Sequence, residues 1–150
     1  MSFQTLNTNL VNLVTAITSI SEVSASPKMQ FESYPAAFIA ESGNESEFQS
    51  SQDHIRIYAF NVWLFQEFDV TDVPTAYSIL RGLVDTLIDK MDGQESPEGT
   101  NGMATGLAAG KTLVSVLATP AQFVYDETAK MLAARVSVRC KVLVDLTSID

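Results

Sequence analysis

Ala133-Ala134-Arg135-Val136-Ser137-Val138-Arg139-Cys140-Lys141-Val142-Leu143-Val144 decides the fold class. Its even positions are Ala134, Val136, Val138, Cys140, Val142 and Val144, and its odd positions are Arg135, Ser137, Arg139 and Lys141 before Leu143 closes the pattern. Successive side chains of a strand point to opposite faces, so this alternation describes a strand with one buried and one wet face. The sheet containing it is the frame on which the rest of the chain is expected to pack.

Working outward, Asp126 to Lys130 reads as a turn that pairs this strand with Gln122–Tyr125 in a closing hairpin. Leu113 to Leu117 reads as a strand that Pro120 interrupts. Residues 54–66 are apolar and β-branched or aromatic on both faces, which predicts a central strand covered on both sides by helices, a second sheet or another subunit. Residues 29–41 predict a strand that Pro35 confines to an edge or a bulge. Ser24 to Lys28 is a break, and the acidic, serine-rich stretch from Gly43 to Gln52 reads as a mobile loop.

Two segments carry helical periodicity. Phe3, Leu6, Leu10, Leu13, Ile17 and Ile20 form one apolar stripe over residues 3–21, backed by Thr, Asn and Ser. Val73, Tyr77, Leu80, Val84, Leu87, Ile88 and Met91 form the second, with Asp72 as the N-cap, Pro74 in the first turn and Gly93 as the stop. Residues 92–111 hold five of the seven glycines and read as a long flexible loop. The expected fold is a single α+β domain over residues 1–150. Its mostly antiparallel sheet has about four to five strands, with an N-terminal helix and one central helix packed on it.

Composition narrows the function. The chain has 150 residues, a net charge of −9 and only nine Lys and Arg, too few for a protein that grips nucleic acid through its phosphates. One cysteine excludes an intrachain disulfide, and one Cys with one His cannot build a zinc site. Cys140 falls on the apolar face of its strand and is expected to be an inert buried thiol. The N-terminal stretch does not read as a signal peptide, and no stretch approaches the roughly 18 apolar residues of a membrane span, so synthesis in the cytoplasm is expected.

No reaction is named by the side chains. Gly106 to Thr112 superficially suggests a phosphate loop, but only three residues separate Gly106 from Gly110, and the following Leu113-Val114-Ser115-Val116-Leu117 is strand-like rather than helical. His54 has no partner at a telling spacing, and no pair stands out among 18 carboxylates. No catalytic residue, metal or cofactor is therefore assigned, and the chain is not expected to be an enzyme.

Charge placement points instead to contacts. Arg135, Arg139 and Lys141 are three of the nine basic residues and share one strand face. They either pair with acids on a neighbouring strand or meet the acidic face of another subunit. Asp85, Asp89 and Asp92 share one helical face, where like charges repel. They form a solvated acidic face, a cation site or a docking face for a basic partner. Arg135, Arg139, Lys141, Asp85, Asp89 and Lys111 are the candidate interface residues.

The segment Ser33-Tyr34-Pro35-Ala36-Ala37-Phe38-Ile39, the acidic loop with Glu47-Phe48, and Arg56-Ile57-Tyr58-Ala59-Phe60-Asn61-Val62 resemble the tail terminator proteins of tailed bacteriophages. The layout is similar too: an N-terminal helix, these two strands, a helix after Pro74 and a closing hairpin. About thirty residues carry the resemblance as sequence, and the glycine-rich segment has no counterpart in it. The resemblance implies a hexameric ring in the virion neck that caps the tail tube and faces a head-side connector or stopper. Genomic DNA would cross its lumen without specific binding, and no membrane is involved. A small cytosolic α+β ligand-binding domain, with its pocket between helix 73–91 and the sheet, is the alternative.

Overall fold

The computed structural model describes residues 2–28, 30–48, 53–69, 71–92, 103, 107 and 110–145. The elements run α1 (Ser2–Thr15), β1 (Glu22–Ser24), β2 (Ala36–Phe48), β3 (Asp53–Glu67), α2 (Val73–Asp92), β4 (Lys111–Asp126) and β5 (Met131–Asp145). The five strands form one sheet in the order β1-β2-β3-β5-β4. The β1–β2 pair is parallel and the others are antiparallel. The α+β class and its mostly antiparallel sheet thus stand as expected.

Both helices lie on the same face of the sheet. Helix α1 packs on β1 and β2, and α2 packs on β3, β5 and β4. The even residues of β5 from Leu132 to Val144 and Tyr58, Phe60, Val62 and Leu64 of β3 meet Leu6, Leu10, Val14, Leu80, Val84 and Leu87 of the helices in one core. Phe3 sets its ring edge-on to Tyr58 and Phe60, with centroids 4.8 and 5.6 Å apart, and so locks the start of α1 onto β3. Cys140 lies in this core, where burial pushes its thiol up to about 12.

Several local expectations change. Helix α1 ends at Thr15, short of Ser21. The segment Thr15-Ala16-Ile17-Thr18-Ser19-Ile20 is rich in β-branched and hydroxyl residues that propagate a helix poorly, and Thr15 Oγ1 donates back to the Val11 carbonyl at 2.7 Å. Ile17 and Ile20 are still buried, carried by two short turns in which Ile17 N–H bonds Val14 O and Ile20 N–H bonds Ile17 O.

Strand β2 begins after Pro35 rather than at residue 29 and runs through the acidic stretch to Phe48. The mobile loop placed at Gly43 is therefore a strand up to Phe48, and residues 49–52 lie outside the described ones. Backbone pairing with β3, from Ala36↔Phe65 to Phe48↔His54 with a bulge between Glu41 and Gly43, overrides the composition. The Ser24 break is preceded by the short strand β1.

Strand β4 is continuous through Pro120, with bulges at Leu113/Ser115 and Pro120/Gln122. Proline fits there because β4 is an edge strand, so its missing N–H costs no ladder bond. Gly110, at φ 81°, turns the chain into β4, and its carbonyl accepts from Asp145 N–H at 2.7 Å. Most of the predicted 92–111 loop lies outside the described residues. Met103 within it is buried, and its carbonyl accepts from Nδ2 of the buried Asn9 at 2.9 Å.

Candidate functional site: a helix-free sheet face and two open strand edges

Among the described residues, helices cover strand β3 on one face, and of the covers expected for its second face another subunit stays open. The odd residues of β3, Ile55, Ile57, Ala59, Asn61, Trp63 and Phe65, face away from α1 and α2. They sit beside the odd residues of β5 in register: Ile57↔Lys141, Ala59↔Arg139, Asn61↔Ser137, Trp63↔Arg135 and Phe65↔Ala133. Phe38 joins them from β2 opposite Trp63.

This face has two halves. At the end near the β4–β5 turn, aromatic rings cluster. Phe38 lies 5.4 Å from Phe65 and 6.4 Å from Trp63, Trp63 stacks on Phe65 at 6.3 Å, and Phe31 reaches Phe65 at 5.5 Å. Phe31 and Tyr34 come from the irregular stretch before β2, which folds back over the sheet. Its anchor is Glu22, whose Oε2 lies 2.6 Å from Lys28 Nζ and whose Oε1 accepts from Glu32 N–H at 2.9 Å. The Lys28 ammonium and the Glu32 N–H hold the Glu22 carboxyl below its usual value, and Glu22 in turn raises Lys28. These rings, with Val124, Met131 and Ala133, line a cavity of about 420 Å³.

The basic row starts at Arg135 beside Trp63 and runs through Arg139 and Lys141 into the other half. On β3 and β4 the residues opposite Arg135 are Trp63 and Gln122, those opposite Arg139 are Ala59 and Leu117, and those opposite Lys141 are Ile57 and Ser115. No carboxylate stands directly across from the row on either strand. Arg135 Nε is buried without a hydrogen-bond partner. Asp85 and Asp89 are exposed on α2, in the other layer of the molecule, so the two predicted charge groups do not meet within one chain. Lys111 opens β4, half-buried and in register with Val144.

Among the described residues, the space between α2 and the sheet is packed with core side chains. Leu80, Leu83, Val84, Leu87 and Met91 fill it with core. The cavity of about 420 Å³ lies on the opposite face.

Strand β4 carries four of the five large apolar side chains that are prominently exposed among the described residues: Val114, Leu117, Phe123 and Tyr125. The sequence hides this edge because Pro120 reads as a break in a strand. Hidden as well is the aromatic cluster, assembled from Phe31, Tyr34, Phe38, Trp63 and Phe65 across three segments. Among the described residues, no helix is long and apolar enough to cross a membrane.

No protein-family model matches this chain, and no curated protein matches it. Twenty-eight chains of solved structures do. One belongs to the structure described as the virion of native gene transfer agent (GTA) particle. It is 11% identical, with a TM-score of 0.58, and the match covers 91% of this chain and 93% of that one. The two share a fold over nearly their whole lengths.

Proposed function

We propose that this chain is a structural protein of a phage-like virion, and more finely a tail terminator of the neck. In this reading, copies form a hexameric ring that caps the tail tube protein and meets a head-side connector or stopper. The genome passes through the lumen. The observation that carries the reading is the fold shared from end to end with a chain of a gene transfer agent virion. The Ser33–Ile39 and Arg56–Val62 segments point to the same class through their resemblance to tail terminators.

The surface supports an assembly role. A helix-free face with Ile55, Ala59, Trp63 and Phe65 is what a subunit keeps for a neighbour. A net charge of −9 suits a lumen that DNA slides past without adhering. The basic row, on the face that carries no helix, suits a contact with an acidic surface of another subunit.

Arg139→Glu tests the basic row. Particles or purified protein carrying it are expected to lose rings in electron micrographs, while the isolated chain stays folded. Rings formed as readily as by the parent would assign the row to contacts within one chain.

A further inference from the structure

The sheet ends in two edges that match. On one side lies β4, with no strand beyond it among the described residues. On the other lies β2, which β1 covers only from Ala36 to Phe38, so that among the described residues no strand pairs with the outer edge of Ile39–Phe48. Register carried across the sheet sets these open stretches level. Lys111 aligns through Val144 and His54 with Phe48, Leu117 through Arg139 and Ala59 with Gly43, and Thr119 through Ser137 and Asn61 with Ala40. Pro120 and its bulge then end the regular part of the β4 edge near the level at which β1 begins to cover β2.

Direction matches as well. Alternation through β2, β3, β5 and β4 makes β4 antiparallel to β2. A second copy brought alongside by rotation about an axis parallel to the strands keeps its helices on the same side. Its β2 then lies antiparallel to β4.

We propose that copies of this chain join by strand addition, the Lys111–Thr119 edge of β4 pairing with the open Ile39–Phe48 edge of β2 in the next copy. Each copy then offers both halves of a heterologous contact, which closes into a ring or runs on as an open ribbon. Val114 and Leu117, 45% and 52% exposed, lie on the edge that would be covered. A long edge with exposed apolar side chains is what soluble monomers suppress and assemblies use. A two-fold β4–β4 contact fits less well, because it leaves the β2 edge open and, if centred on the strand, places the two Pro120 bulges near each other.

The inference rests on the ring-forming reading, and the experiment separates the two. Light scattering of the parent chain and of Leu117→Lys across a concentration series is paired with oxidative cross-linking of Leu117→Cys, alone and combined in turn with Ala40→Cys, Gly43→Cys and Glu45→Cys, positions that share its face of the sheet by register. The expected result is a parent that assembles and a Leu117→Lys variant whose half-assembly concentration rises by roughly tenfold or more with an unchanged thermal midpoint. One of the double-cysteine chains should yield a ladder of trimers and larger species. A parent that assembles beside a lysine variant that assembles equally well overturns the edge pairing alone. Dimers from Leu117→Cys by itself indicate two-fold pairing and also overturn it. A parent that stays monomeric throughout overturns both readings.

Discussion

The same strands build both faces of this sheet, and the two faces are finished differently. Against the helices, Phe60, Val62, Leu64, Val136, Val138 and Cys140 are sealed from solvent and carry no charge. On the reverse, Ile55, Ala59, Trp63 and Phe65 are only partly covered and lie beside Arg135, Arg139 and Lys141. The first face is a core completed within one chain. The second has the mixture expected of a protein interface, aromatic and Arg-rich with apolar ground between. A strand that is apolar on both faces need not be covered twice by its own chain, because the second cover can come from another subunit.

Truncation on each face puts the largest strain on this comparison. Phe60→Ala should lower the stability of the isolated chain by about 3–5 kcal/mol, because a fully buried ring leaves a cavity. Phe38→Ala on the helix-free face should cost about 1–2 kcal/mol, since its ring is only half-buried in the monomer. Denaturant melts of both variants measure this, and equal losses would erase the distinction between the faces.

Thiol chemistry sharpens it. Cys140 is pushed from 9.0 up to about 12, leaving its thiolate roughly a thousandfold scarcer near neutral pH than an unperturbed one. A thiol reagent at pH 8 should leave native Cys140 unmodified. Ser137→Cys, on the other face, should react readily in the monomer and slow on assembly. Equal labelling before and after assembly would show that the helix-free face stays uncovered.

The smallest effect concerns the clasp that folds Phe31 and Tyr34 over the aromatic half. Glu22 is held below 4.5, so its contribution is complete above that value and fades as pH falls through its lowered one. Lys28 is raised above 10.5, so its share is complete below that value and fades as pH rises through the raised one. Lys28 is exposed and Glu22 only half-buried, and solvent keeps the effect modest. Trp63 fluorescence followed into acid should show a small transition that Glu22→Gln removes.

How far the sequence was legible follows the same divide. The period of two in 131–145 and the helical stripe of 73–92 were readable because each records burial against its own chain. The extension of β2 through Gly43–Phe48 was not, because backbone pairing with β3 leaves no mark on a polar stretch. Pro120 misled because it ends a central strand but is tolerated on an edge, and composition does not say which strand is the edge. The basic row and the aspartates were visible as charge clusters. That they occupy opposite layers, and so cannot pair within one chain, is a property of topology alone.

The most direct test of assembly from this chain is the mass of the purified protein in solution, read by light scattering at rising concentration. A closed ring predicts a plateau at a fixed integer multiple of one chain's mass, six for the neck ring proposed here. A single-chain mass at every concentration would contradict the account.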